Sequence, residues 1–106
     1  MTETALRPTT TASLVEYQEG GVVSKILLKQ EKGNVTLFAF DKDQALSEHT
    51  APFEALVQVL EGTAEVTIAG QPYSLRGGEM IIMPANQPHA VKALERFKMQ
   101  LTMIRA

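Results

Sequence analysis

Phe97-Lys98-Met99-Gln100-Leu101-Thr102-Met103 alternates apolar and polar residues without a break. A period of two puts Phe97, Met99, Leu101 and Met103 on one face of an extended chain, which marks a half-buried strand. Ala64-Glu65-Val66-Thr67-Ile68 repeats the pattern. Working outward from these, Val22 to Lys29, Asn34 to Asp41 and Phe53 to Glu61 are further β-rich runs. Some are apolar on both faces, which suits sandwich strands or an oligomer interface. Gly20-Gly21, Lys32-Gly33-Asn34, Glu61-Gly62, Gly70-Gln71 and Gly77-Gly78 break the runs at short, regular intervals. Gly70-Gln71 predicts a two-residue hairpin of type II′, with glycine first. Only Asp41 to Ser47 leaves room for a turn of helix. Many short, evenly spaced strands predict an all-β sandwich or barrel.

The 106 residues amount to one domain. Residues 1–12, rich in threonine around Arg7-Pro8, read as an N-terminal arm or an edge strand in need of a neighbour, and residues 13–106 as the barrel. A formal net charge of -2 gives no basic footprint for nucleic acid and no polybasic patch for a membrane surface. The absence of cysteine excludes disulfides, thiolate nucleophiles, zinc–thiolate sites and iron–sulfur clusters. No apolar run reaches the roughly 18 residues of a membrane span, and Met1 to Ser13 lacks the pattern of a secretory signal. A cytoplasmic location is the expectation.

Two segments carry more specific information. One is His49-Thr50-Ala51-Pro52-Phe53-Glu54-Ala55, running on to Val57-Gln58-Val59-Leu60-Glu61-Gly62; the other is Gly78-Glu79-Met80-Ile81-Ile82-Met83-Pro84-Ala85-Asn86-Gln87-Pro88-His89. Together they resemble the two motifs of the cupin family. Gly78, Pro84 and His89 match the second motif, with Asn86 at its glycine-like turn; His49 and Gly62 match the first. The same count puts Ala51 at the place of the first motif's second histidine and Ala55 at the place of its glutamate. The resemblance, which covers about Leu14 to Ile104, implies a cupin double-stranded jelly-roll β-barrel with a central pocket. In metal-binding members three histidines and a glutamate hold Mn, Fe, Ni, Zn or Cu.

Such an ion needs at least three protein donors and open positions. Here the methyl groups of Ala51 and Ala55 leave His49 and His89, the chain's only histidines, as the expected metal and pocket residues. Strand alternation points Glu48 and Glu54 away from the pocket; a bulge near Pro52 would be required to turn Glu54 inward as a third ligand. Met80, Met83, Met99 and Met103 read as core filling, with Met83 also a candidate wall for an adaptable pocket.

Three functional readings follow. The first is a module binding a small, partly apolar molecule, with His49 and His89 as its polar contacts and a weak or degenerate divalent-metal site, or no cofactor at all. The second is a metal-dependent cupin enzyme, an isomerase or dioxygenase using Zn, Ni, Mn or Fe on a small metabolite. The third is a metal-free isomerase or epimerase in which a histidine moves a proton, for which the spacing supplies no orienting carboxylate. The arm and the doubly apolar run Val22 to Leu28 predict a homodimer formed by edge-strand exchange or packing.

Overall fold

The computed structural model describes residues 7–105, so residues 1–6 of the expected N-terminal arm, and residue 106, lie outside the described residues. The strands are β1 (Val22–Gln30), β2 (Gly33–Phe40), β3 (Ala45–His49), β4 (Glu54–Glu61), β5 (Thr63–Ile68), β6 (Gln71–Arg76), β7 (Met80–Met83), β8 (His89–Ala93) and β9 (Phe97–Ile104). They form a five-stranded sheet in the order β1-β2-β9-β4-β7 and a four-stranded sheet in the order β3-β8-β5-β6, with every pairing antiparallel. The all-β reading holds, and the two sheets form a jelly roll.

The core lies between the sheets and follows from the alternation. Phe97, Met99 and Leu101 face inward from β9 beside Val57 and Val59 of β4, and meet Ala64, Val66, Val91 and Ala93 of the smaller sheet. Phe40 and Phe97, directly paired across β2 and β9, are fully buried and stack with ring centroids 4.5 Å apart. A buried, stacked aromatic pair adds about 0.5–1.5 kcal/mol to the gain from burial alone.

The outer face of the larger sheet is covered at one end by the chain before β1. Val15 is buried there against Leu37 and Ala39, with Leu14 and Tyr17 alongside. Lys98 Nζ donates to the Ala12 carbonyl at 2.7 Å and the Tyr17 hydroxyl donates to Glu61 at 2.6 Å. The Tyr17 ring lies within reach of both Arg96 and Lys98, 5.2 Å and 5.0 Å from its centroid. Burial together with the Glu61 carboxylate pushes the Tyr17 hydroxyl pKa well up.

Two local expectations are corrected. The single short helix among the described residues is a 3₁₀ turn at Thr11–Leu14 and does not fall within Asp41 to Ser47. Asp43 sits at φ 69, which a right-handed helix does not admit, and the chain passes straight into β3. The β5–β6 turn is Ala69-Gly70, since Ile68 pairs with Gln71, and both turn residues have positive φ (49 and 82). That is the type I′ signature, one residue earlier than expected; its twist matches the strands it joins.

The motif glycine at position 62 has a steric cause. Gly62 turns β4 into β5 at φ 82, and a Cβ there would collide with the Arg96 carbonyl oxygen. Asn86 occupies the left-handed region at φ 66, where asparagine is better tolerated than most residues, and its N–H donates to the Ala51 carbonyl at 2.8 Å. This bond ties the second motif segment to the first at the mouth of the barrel.

Candidate functional site

β3 and β8 carry the two histidines. They pair through Ala45↔Lys92 and Leu46↔Val91, and then His49 opposes His89 after a register shift between Leu46 and His49. The irregularity therefore falls at residues 47–48 of β3, not near Pro52. A bulge of this kind re-aims the side chain that follows it, and here it leaves His49 facing His89. The imidazole planes meet at 75° with centroids 4.3 Å apart, and the two Nε2 atoms are 3.1 Å apart. His89 is buried, with 5% of its surface exposed, whereas His49 is exposed at the mouth.

The other ring nitrogens are fixed by the backbone. His49 Nδ1 lies 2.9 Å from the Ser47 carbonyl oxygen, and His89 Nδ1 lies 3.1 Å from that of Gln87. A carbonyl oxygen can only accept, so each Nδ1 carries the hydrogen. In the neutral rings both Nε2 atoms then present lone pairs to the same point. Two lone pairs at this distance repel unless a proton shared as Nε2–H···Nε2, or another electron-poor centre, lies between them. Burial holds the His89 pKa below the ordinary histidine value and charge on His49 lowers it further, against the raising effect of the Gln87 carbonyl. The neutral, accepting form of His89 is favoured accordingly.

Both histidines line a cavity of about 50 Å³, bounded also by Met83, Ala51 and Ala55. One water needs about 10–15 Å³ on this scale, so the space suits an ion or a few small groups. The expected pocket residues His49, His89 and Met83 are thus brought together. Glu54 is not. It is exposed, pairs with Ile104, and leaves the buried inward position on β4 to Ala55. Strand alternation prevails because the irregularity that could have re-aimed a side chain lies in β3 and turns His49. Glu48 is exposed as well. Among the described residues no three of His, Cys, Asp and Glu come together as a metal-holding group, and no carboxylate lines the cavity.

Met99 and Met103, read from sequence as core filling, also line the cavity. Ala55 pairs with Met83 on one side and Met103 on the other, so two thioether side chains flank the position where the motif would carry a carboxylate. A single strand's alternation puts Met103 on the inner face; the pairing across β9, β4 and β7 that brings it beside Ala55 is a tertiary fact.

The sequence model of the family described as Cupin domain matches residues 36–105. Among solved structures, a conserved protein of unknown function from Streptococcus pyogenes is 32% identical, with a TM-score of 0.91 over 94% of this chain and 88% of that one. A cupin superfamily protein from Desulfitobacterium hafniense is 30% identical, with a TM-score of 0.90 over 94% and 92% of the two chains. A cupin 2 conserved barrel domain protein from Leptotrichia buccalis is 42% identical over 89% of this chain, which spans 46% of that longer one, with a TM-score of 0.86. No curated protein matches the sequence. No helix among the described residues is long and apolar enough to cross a membrane.

Proposed function

The chain belongs to the cupin family, and from that premise we propose that it works as a binding module whose compact ligand seats between His49 and His89. The observation that carries this reading is the pair of Nδ1 bonds to backbone carbonyls, which leaves two Nε2 acceptors converging at the cavity mouth. The ligand must therefore offer an electron-poor centre, either a hydrogen-bond donor or a cation, against an otherwise largely apolar wall. The third reading, proton transfer by a histidine, has no orienting carboxylate to draw on. No such carboxylate lines the cavity among the described residues.

Histidine ring nitrogens can be read directly by long-range ¹H–¹⁵N correlation NMR. At pH 8 both rings are expected to show a protonated Nδ1 and a bare Nε2. A ring with its hydrogen on Nε2 would remove one of the two acceptors and overturn the reading.

A further inference from the structure

The inward-facing row of β9 ends in a charge. Period two carries Phe97, Met99, Leu101 and Met103 along the inner face, and the next residue of that row, just past the strand's end, is Arg105. Across the sheet Ala55 pairs with Met103 and Glu54 with Ile104, so the same register brings Phe53 opposite Arg105. The two side chains meet: the Arg105 guanidinium carbon lies over the Phe53 ring, 5.7 Å from its centroid, within reach of a cation–π pair. Phe53 in turn lines the cavity together with His49, His89 and Ala51. An otherwise apolar row thus finishes in a guanidinium that rests on a ring of the cavity wall.

Among the described residues Arg105 makes no ion pair, and the cavity lining holds no carboxylate. Glu54, the acid nearest in the pairing, is exposed, and alternation points it to the opposite face. The Arg105 backbone is anchored, its N–H donating to the Lys32 carbonyl at 2.8 Å. A guanidinium offers its donors in a planar fork that matches the two oxygens of a carboxylate, and contact with an aromatic face leaves the donors at its edge available. A doubly charged phosphate would call for further cations, and no lysine or arginine is found among the described residues that line the cavity. The charge on Arg105 therefore fits a single carboxylate.

We propose that the ligand seated between His49 and His89 is a small monocarboxylate that also carries a hydroxyl group: Arg105 takes the carboxylate at the rim, Phe53 covers the carbon chain, and the hydroxyl donates to an Nε2. This assignment rests on the reading of the cavity as a binding site and adds to it a ligand class and a specificity-determining residue outside the motif positions. Binding is by hydrogen bonds and charge alone, with no covalent step.

The test is a titration of the whole chain at pH 8 with butanoate hydroxylated at its terminal carbon, followed through the arginine Nε–H signals and the Phe53 ring signals by NMR. Matched probes are the amide of that acid, which keeps the shape without the charge, butanoate itself, which lacks the donor, and inorganic phosphate. The hydroxy acid is expected to saturate and to shift the Arg105 Nε–H, with each matched probe at least tenfold weaker. Arg105→Gln keeps a polar end without the charge and, since Arg105 is exposed, should melt close to the parent. In that variant the hydroxy acid should bind no better than the amide, whose own binding should not change; Arg105→Lys should recover part of the loss. An amide that binds as tightly as the acid, or an Arg105→Gln chain that still prefers the acid, would overturn the proposal. So would phosphate binding as tightly as the acid, acid binding that ignores His49→Ala, or no saturable binding of the acid at all. Should the acid fail while the ring spectra still show two bare Nε2 atoms, the carboxylate assignment falls and the binding-module reading stands.

Discussion

Ala55→Glu restores the carboxylate that the first motif would place in the cavity, and the structure sets the size of its effect. Ala55 is 5% exposed and in register with Met83 and Met103. An ionised carboxylate there, without a partner, resembles a broken buried ion pair and costs about 3–5 kcal/mol. For a domain of this length 1 kcal/mol shifts Tm by about 4–8 °C, so the metal-free variant should melt at least ~12 °C below the parent. Zinc reverses this. The introduced carboxylate would join His49 and His89 as a third protein donor, the number typical of open zinc sites. Zinc at 100 times its Kd then returns about 2.7 kcal/mol, or roughly 11 °C or more, while the parent should move by less than ~4 °C. Melting curves followed by circular dichroism, with chelator and with zinc, measure both effects. A metal-free variant that melts like the parent would show that position 55 reaches solvent and does not face the cavity. A destabilised variant that zinc fails to raise would show that position 55 and the histidine pair do not converge on one point.

Gly62→Ala should cost about 3 kcal/mol or more in urea unfolding, because a left-handed φ strains any Cβ and the Arg96 carbonyl blocks this one; a loss under 1 kcal/mol would contradict the corner geometry. Asp41 accepts from Gly20 N–H and Arg96 Nε at 2.7 Å and from Lys42 N–H at 2.9 Å, and these bonds, the one from Gly20 foremost, lower its pKa from 3.8 to about 2. A carboxylate held below its unfolded value contributes stability above about pH 4 that is lost as pH falls through about 2. Asp41→Asn should therefore narrow the difference in stability between pH 5 and pH 2, and an unchanged difference would count against the assignment. Leu28, Val35, Leu56 and Ile82 share a row on the outer face of the larger sheet, with Leu28 and Ile82 65% and 55% exposed. Light scattering is expected to find twice 11.6 kDa and a monomer for Leu28→Asp; a parent chain stable at 11.6 kDa would sink the dimer.

What the sequence made legible depended on range. Alternation from Phe97 to Met103 and from Ala64 to Ile68 gave β9 and β5, because the period of a strand is local. Turn details one residue wide were less legible. Ala69-Gly70 forms the hairpin turn although glycine at the second turn position also fits other registers, and only strand pairing decides among them. The histidine pair could be anticipated from motif spacing, and the cavity joins the two rings. Its chemical character could not be read the same way. Met103 comes beside Ala55 through the β4–β9 pairing, and Met83 through the β4–β7 pairing, neither of which is written in the alternation of a single strand.

The fold and the ligand set answer to different residues, which is why one can change while the other persists. Gly62 and Asn86 are constrained by backbone conformation, and Phe40, Phe97 and Val66 by the close packing between the sheets. None of these constraints falls on the side chains at positions 51 and 55, where alanine lines the cavity wall. Replacing hard donors by methyl groups therefore leaves the architecture intact while the two imidazoles keep their backbone anchors at Ser47 and Gln87. What the loss alters is charge. Without a carboxylate the cavity lacks the negative charge that offsets a divalent ion's loss of hydration. Fold and site chemistry are thus governed by separate positions, and a site of this kind has to be read from its neighbours as much as from its motif.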